Sequence, residues 1–244
     1  MASKAFKDLT SAEEIKVYLD NAFRYTRDYV YHYTSLENVL NIFYSKELWF
    51  SSFDKTNDRI EKKFVTNLVS QKYFFSLMRT KIENFGMWAM YGGLTKKPED
   101  PIESIYVKIE FPVSLLKEFI KQNNLRASLV AYTWQCKKPK DGRTVIFYGN
   151  HTNNKGITID KKILSGYIKD TAWKYEQELR IWSDKKEVPV DEKFLKQLKI
   201  FPSPLYSIKA CKEALVKDPR YTDIEKILSK ALTKNDYEDT YNSQ

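Results

Sequence analysis

The residues whose types and spacing best suit chemistry are the charged members of the run Glu176-x-Glu178-x-Arg180. In an extended segment, side chains alternate between faces, so the two acids and the arginine would share one face. Two neighbouring carboxylates repel each other, and burial would add a desolvation cost, so a nearby arginine or a polar ligand is needed to keep both ionised. Arg180 can serve. The spacing leaves open a solvated strand edge or a cleft. Three nearby aromatic residues favour the cleft: Trp173, Tyr175 and Trp182.

The two histidines of the chain occupy different settings. His32 lies in an aromatic run that begins at Tyr29 and predicts a β-strand. The strand ends where Thr34 can cap a helix and Glu37 can reach back to it, the T-x-x-E capping box. His32 is therefore either a packing residue or a ligand contact. His151 lies among turn-forming residues, which predicts a solvated loop position.

Composition limits the classes of protein to which the chain can belong. Its 244 residues, 42% hydrophobic and 15% aromatic, predict one globular domain over residues 1–244. No apolar run approaches the roughly 20 residues of a membrane span, and no apolar signal core begins the chain, so we expect a cytoplasmic protein. Cys136 and Cys211 stand far apart, which supports neither a zinc site nor a disulfide framework. The net charge of +9 gives a mild attraction to polyanions.

The apolar periodicity predicts alternating helices and strands that must position these residues. Helices are expected at about residues 10–24, after the first strand, over most of 59–91, at 115–122, at 161–173 and within 206–234. Strands are expected at 48–50, 104–111, 127–135, 144–148 and 178–183. The chain contains no Gly-rich phosphate loop, P-loop lysine, GxSxG elbow, HExxH or EF-hand pattern, which excludes the commonest enzymes recognised by motif.

Four stretches in order carry a resemblance to known proteins. They are Tyr31-His-Tyr-Thr-Ser, Leu48-Trp-Phe-Ser with an Asn-Asp turn, Trp88-x-x-Tyr-Gly, and Trp173-x-x-Glu-x-Glu-x-Arg. Over about residues 28–232 the chain resembles a widespread bacterial family of unknown-function domains. That family is similar to the ADP-ribosyltransferase superfamily of the His-Tyr-Glu type, which includes toxins and antiphage effectors. The resemblance implies an α+β fold, with two small packed mixed or antiparallel sheets and flanking helices.

The resemblance also implies roles for individual residues, with NAD as co-substrate and no metal. Glu178 would bond the nicotinamide ribose and stabilise the oxocarbenium-like state, while Glu176 would orient the acceptor. If the strand begins earlier, Glu176 would be the catalytic acid instead. His32 would contact the adenosine ribose, and Tyr91 would stack. The implied cofactor contacts are His32, Tyr33, Thr34, Ser51, Asn57, Tyr91 and Arg180.

The function that follows is an NAD-dependent ADP-ribosyltransferase, a toxin or antiphage effector whose acceptor is RNA or DNA in preference to protein, and which a cognate antitoxin could control. One alternative is a non-catalytic module that binds nucleic acid or protein. Its basic surface would include Lys137, Lys138, Lys140 and Arg143. A second alternative is a magnesium-dependent nuclease that uses Glu176, Glu178 and Asp58.

Overall fold

The computed structural model describes residues 9, 11–56, 61, 73–79, 85–92, 102–133, 135–137, 144–148, 155–159, 164 and 166–234. Residues 85, 90–92, 133, 135–137, 144–148 and 155–159 are described by their backbone alone. Within this part of the chain, helices and mostly antiparallel strands follow one another. The predicted α+β class is therefore confirmed.

The helices and strands of the described residues are numbered in chain order. The α-helices are α1 (Ala12–Asp20), α2 (Leu36–Ser45), α3 (Phe85–Gly92), α4 (Val113–Gln122), α5 (Glu192–Leu195), α6 (Ile208–Leu215) and α7 (Tyr221–Ala231). The strands are β1 (Tyr29–Ser35), β2 (Glu47–Trp49), β3 (Ser51–Ser52), β4 (Tyr73–Met78), β5 (Tyr106–Pro112), β6 (Arg126–Leu129), β7 (Ala131–Thr133), β8 (Gln135–Lys137), β9 (Thr144–Tyr148), β10 (Lys155–Ile159), β11 (Ile168–Asp170), β12 (Glu178–Ser183), β13 (Glu187–Pro189) and β14 (Lys199–Pro202). Short 3-10 helices lie at Ala22–Tyr25, Phe53–Lys55, Ile102–Ser104 and Thr171–Glu176.

The chain divides into two compact units that interleave along the sequence. The first unit comprises Met1–Thr26, Phe50–Ser76 and Asn124–Lys186. The second comprises Arg27–Trp49, Leu77–Asn123 and Glu187–Gln244. Whether they behave as the single domain expected from the sequence stays a prediction.

In the first unit, β12 lies between β4 and β6. It pairs antiparallel with β6, with Arg180 opposite Ser128. All six residues of β12 are buried, which explains why its sequence is so rich in large side chains. Strand β3 pairs with the start of β4, β11 pairs parallel with β7, and β8, β9 and β10 form an antiparallel sheet.

In the second unit, β5 lies between β1 and β14, and both pairings are antiparallel. Strand β1 places His32 opposite Ile109, and Tyr31 pairs with Met78 at the end of β4. The helix α2 buries one apolar stripe and contacts α7. Burial of this stripe, which is Leu36, Val39, Leu40, Ile42 and Phe43, supplies the main drive for docking the helix.

The start of α2 differs from the sequence prediction by one residue. Ser35, not Thr34, is the N-cap, and its hydroxyl accepts the Asn38 backbone N–H at 3.2 Å. Thr34 accepts a hydrogen bond from the Asn38 side chain instead, at 2.9 Å. The reason is that pairing with β5 continues through Ser35, opposite Tyr106, so Thr34 is still strand when the helix begins.

Two predicted helical stretches contain strands. Within 59–91, residues Tyr73–Met78 form β4, although the helix end at Gly92 is as predicted. Within 161–173, residues Ile168–Asp170 form β11, and a 3-10 helix begins at Thr171. The short apolar run of β4 fits either structure locally, and β11 is too short to show a periodic pattern. In both places pairing with another strand decides.

Within the described ranges, no helix is long and apolar enough to cross a membrane.

Cys211 is a buried free thiol, and burial raises its pKa to about 12, so it is a poor nucleophile.

Candidate active site

The predicted acids lie in the interior of the first unit. Glu178 is the first residue of β12, and Glu176 ends the preceding 3-10 helix. Gln177 joins them with a left-handed φ of 42°. Because Glu176, Glu178 and Arg180 are only 3%, 1% and 0% exposed, the interpretation as a solvated strand edge is wrong. The expected single extended face is also wrong, since the turn at Gln177 separates Glu176 from the strand.

Arg180 is the centre of a buried charge cluster. Its Nε donates to Glu178 Oε1 at 2.7 Å and its Nη2 to Glu178 Oε2 at 3.1 Å, a bidentate pair. Nη1 and Nη2 also donate to the carboxylate of Glu61, and Nη1 donates to the Gly166 carbonyl at 2.6 Å. The guanidinium lies 4.5 Å from the ring centroid of Phe74. Every nitrogen of this arginine therefore has a protein acceptor, which fixes the plane of the group.

Glu178 is the most completely paired acid of the cluster. Besides Arg180, its carboxylate accepts from Ser76 Oγ at 2.5 Å and lies 2.9 Å from Lys169 Nζ. Its backbone N–H donates to the Tyr132 hydroxyl at 2.8 Å. Burial alone would raise the pKa of Glu178, but the charges of Arg180 and Lys169 outweigh burial and lower the pKa to about 2. The carboxylate is consequently ionised at neutral pH.

Glu176 shares its cation with Glu178. Lys169 Nζ donates to Glu176 Oε2 at 2.6 Å and also reaches Glu178. Burial, followed by the negative charge of Glu178, raises the pKa of Glu176 despite the lysine. Three buried carboxylates surround two buried cations here, so a proton on one acid neutralises the set. Glu178 and Glu61 both pair with Arg180, whereas Glu176 shares Lys169 with Glu178.

The cluster is least enclosed at its lysine end. The side chains of Lys169 and Glu176 are 8% and 4% exposed, compared with 0% for Arg180. Trp173 and Tyr175, both half-buried, lie beside this end, and Lys169 Nζ is 5.6 Å from the Trp173 ring centroid. Their ring centroids are 6.2 Å apart. The aromatic wall expected beside the acids is present at this end of the cluster.

The other predicted site residues lie on other elements. His32, Tyr33 and Thr34 are on β1 of the second unit, where His32 is half-buried and the other two are buried. The Tyr33 ring packs edge-on against Trp88, with centroids 4.7 Å apart. Ser51 is exposed on β3 of the first unit. Their predicted contacts with NAD stay predictions.

Several predicted residues are not described in full. Tyr91 lies in α3 and Lys137 in β8, each described by its backbone alone. The remaining ones lie outside the described residues: Asn57, Asp58, Lys138, Lys140, Arg143 and His151.

Sequence reasoning missed four residues of the cluster. They are Glu61, Ser76, Tyr132 and Lys169. Two of them carry a weak signal, because Ser76 interrupts the apolar run of β4 and Lys169 is the central residue of β11. A polar residue on a buried strand needs a partner, and that requirement could have marked both.

The carboxylates of the cluster already have cations beside them. Lys169 lies beside both Glu176 and Glu178, and Arg180 lies beside Glu178. Among the described residues, no group of three histidine, cysteine, aspartate or glutamate side chains is arranged to hold a metal.

A family model matches part of the chain. The profile of a family described as a protein of unknown function (DUF2971) matches residues 87–181. The chain is similar to that family over this stretch. The matched stretch includes Trp88, Tyr91 and the Glu176-x-Glu178-x-Arg180 run, whereas His32 lies before it. No curated protein matches the chain.

Proposed function

We propose that the protein is an NAD-dependent ADP-ribosyltransferase in which Glu178 is the catalytic acid. The observation that carries the proposal is the fixed, ionised carboxylate of Glu178 at the start of β12, held by Arg180, Lys169 and Ser76. The resemblance of the ordered motifs to the His-Tyr-Glu superfamily adds the substrate, NAD. The position of Glu178 at the first residue of a late strand matches the position that this resemblance implies.

The chemistry explains why such an anion is useful. The bond between C1′ of the ribose and the nicotinamide nitrogen breaks, and its electron pair leaves with nicotinamide. Positive charge then develops on the ribose, and an anion fixed beforehand stabilises it without reorganisation. Arg180 acts as a positioning residue, because its bidentate pair fixes the carboxylate of Glu178.

Glu176 has the properties of the general base that the transfer reaction requires. Its raised pKa brings it closer to neutral pH, where proton transfer is most efficient. It would accept the proton that the acceptor nucleophile loses as the new bond to C1′ forms. Its place at the more exposed end, beside Trp173 and Tyr175, suits contact with an acceptor. Substrate would reach Glu178 from this end, with Lys169 moving away from the pair of acids.

The acceptor and the biological role follow from the charge and the resemblance. A net charge of +9 favours a nucleic-acid acceptor over a protein one. The resemblance implies a toxin or antiphage effector, and a cognate antitoxin would then be a natural partner. His32 stays the proposed contact for the adenosine ribose, and Tyr91 the proposed stacking residue.

The test is nicotinamide release from NAD by the purified protein, with and without single-stranded RNA or DNA. We expect Glu178→Gln to lower the rate by about 10²-fold to 10³-fold, because one preorganised group of this kind is commonly worth that much. Transfer to the oligonucleotide would be followed by its increase in mass.

Two variants control for effects on the fold. Glu192→Gln removes the exposed partner of Lys196 and should leave the rate unchanged. Glu61→Gln disrupts a buried pair with the same arginine, so it should lose stability while retaining at least a tenth of the rate. Full turnover by Glu178→Gln would contradict the assignment. Oligonucleotide binding without NAD consumption would favour the binding module, and cleavage sensitive to EDTA would favour the nuclease.

A further inference from the structure

Arg126 is a half-buried cation on the other side of β12 from β4. It is the first residue of β6, opposite Trp182. Its Nε is buried, and among the described residues no acceptor lies within hydrogen-bond distance of it. A buried donor without an acceptor is costly, so such a group calls for a partner.

Two aromatic rings hold the Arg126 guanidinium. Its Cζ lies 5.3 Å from the ring centroid of Trp182 and 5.6 Å from that of Tyr167. Cation–π contacts of this kind hold the charged group against the rings but do not supply hydrogen-bond acceptors for its N–H groups. The Nε–H of Arg126 therefore remains suited to an acceptor in the plane of the guanidinium.

The polar atoms of both rings are already engaged. The indole N–H of Trp182 donates to Ser128 Oγ at 2.7 Å, and the hydroxyl of Tyr167 donates to Asp20 Oδ1 at 2.8 Å. Both rings are almost completely buried. Neither ring can turn toward the arginine without breaking one of these hydrogen bonds, so both rings are fixed beside the guanidinium.

A second cation lies on the same tyrosine. Lys16 Nζ is 5.6 Å from the Tyr167 ring centroid and donates to Asp20 Oδ2 at 2.7 Å. The charge of Asp20 opposes an anion here, but both of its oxygens accept hydrogen bonds, from Tyr167 and Lys16. The helix α1 and the 3-10 helix Ala22–Tyr25, which carries the exposed Arg24, both contact β6. Lys16 and Arg24 are the cations of these two elements, and Glu13, Glu14 and Asp20 are the acids of α1.

We propose that Arg126, assisted by Lys16, binds a phosphate group. A planar guanidinium presents paired donors that match two phosphate oxygens, and an ammonium adds a point charge. The phosphate could belong to a nucleic-acid backbone or to a free nucleotide, since both present the same oxygens. This site is separate from the Glu178 carboxylate and adds a binding function to the proposed transferase.

The first experiment observes the Arg126 side chain directly. The Nε–H resonance of Arg126 in the 15N-labelled protein is assigned by its loss in Arg126→Lys. It is then followed during titration with pyrophosphate, a mononucleotide and a single-stranded oligonucleotide, without NAD. We expect a saturable shift of this resonance. A shift with the oligonucleotide alone would identify a nucleic-acid backbone, and an equal shift with the mononucleotide would identify a free nucleotide.

The second experiment measures oligonucleotide affinity at several salt concentrations. Arg126→Gln should weaken binding about tenfold and lower the slope of log affinity against log salt by about one. Arg27→Gln is the matched control, because it removes the same charge from an exposed residue, and it should change affinity less than twofold. The absence of a resonance shift with every probe would overturn the proposal, as would equal affinities of the two variants. Because no NAD is present, failure here is independent of the test at Glu178.

Discussion

Glu176 and Glu178 are two residues apart, yet their surroundings shift their pKa values in opposite directions. Both are buried, which by itself raises the pKa of a carboxyl group. Glu178 also has a bidentate arginine and a serine hydroxyl, whereas Glu176 shares one lysine with its neighbour. One acid is thereby kept as an anion and the other is able to hold a proton.

This difference predicts opposite effects of pH on stability. The pKa of Glu178 is about 2 in the folded state, compared with about 4.5 for the free side chain. The ionised Glu178 contributes about 3 kcal/mol to the free energy of unfolding for a pKa shift of this size. This contribution is complete above pH 4.5 and is lost as the pH falls toward 2. Glu178→Gln should therefore be less stable than the wild type at neutral pH, by about 3 to 5 kcal/mol for a broken buried pair. The gap should close below pH 4.5.

For Glu176 the sign is reversed. Because its pKa is raised in the folded state, the folded protein binds the proton more tightly than the unfolded chain does. The wild type should lose stability relative to Glu176→Gln as the pH rises above about 4.5. Urea unfolding of the wild type and both variants between pH 2 and pH 8 measures these differences. If the free energy of unfolding depends on pH in the same way for all three proteins, neither acid has a shifted pKa.

At the scale of an element, strand β12 packs against the chain at Gly166. Gly166 adopts a φ of 78°, and its carbonyl accepts from Arg180 Nη1. A Cβ at this position would lie 2.5 Å from Cη2 of Trp182 and 3.0 Å from Cζ of Phe53. Glycine is required here both by the backbone conformation and by the space.

Gly166→Ala should therefore be destabilising by about 3 kcal/mol. Overpacking against a buried ring costs about 1 to 3 kcal/mol, and a left-handed conformation costs an alanine about 1 kcal/mol more. Trp182→Phe removes the ring atoms that the new methyl would meet. In a double-mutant cycle measured by urea unfolding, the cost of Gly166→Ala should thus fall to about 1 kcal/mol in the Trp182→Phe background. An unchanged cost would place the strain in the backbone alone.

The prediction of elements succeeded where the pattern was long and regular. The helices α1, α2 and α4 and the strands β1, β5 and β12 lie within or close to the expected stretches. It failed at β4, a short apolar run, and at β11, which is only three residues long. A run of this length can be buried as helix or as strand, and only the neighbouring strand supplies the hydrogen bonds that decide.

At the scale of the whole molecule, the two units alternate along the chain. Each is built from three separate stretches, and β4 contributes Tyr73–Ser76 to the first and Leu77–Met78 to the second. Neither unit corresponds to one continuous stretch of sequence. We therefore expect the chain to unfold in one cooperative transition, as the single-domain prediction requires.

Hydrogen exchange tests this expectation. The slowest amides of β12 in the first unit and of β5 in the second should exchange with the same free energy of opening. They should also respond equally to urea, because the same global unfolding exposes both. If β12 opens at a free energy more than 1 kcal/mol from that of β5, the units unfold separately and the single-domain prediction is wrong.

The sequence by itself determined the longer helices and strands and the charged run of Glu176, Glu178 and Arg180. These features depend on periodicity and on residues close in the chain, where local geometry is sufficient. The tertiary structure alone decided that these charges are buried and which partners they have. Glu61 is 119 positions from Arg180, and Ser76 is 102 positions from Glu178. No local pattern encodes such pairs, because strand pairing and burial bring them together and thereby set the charge of each acid.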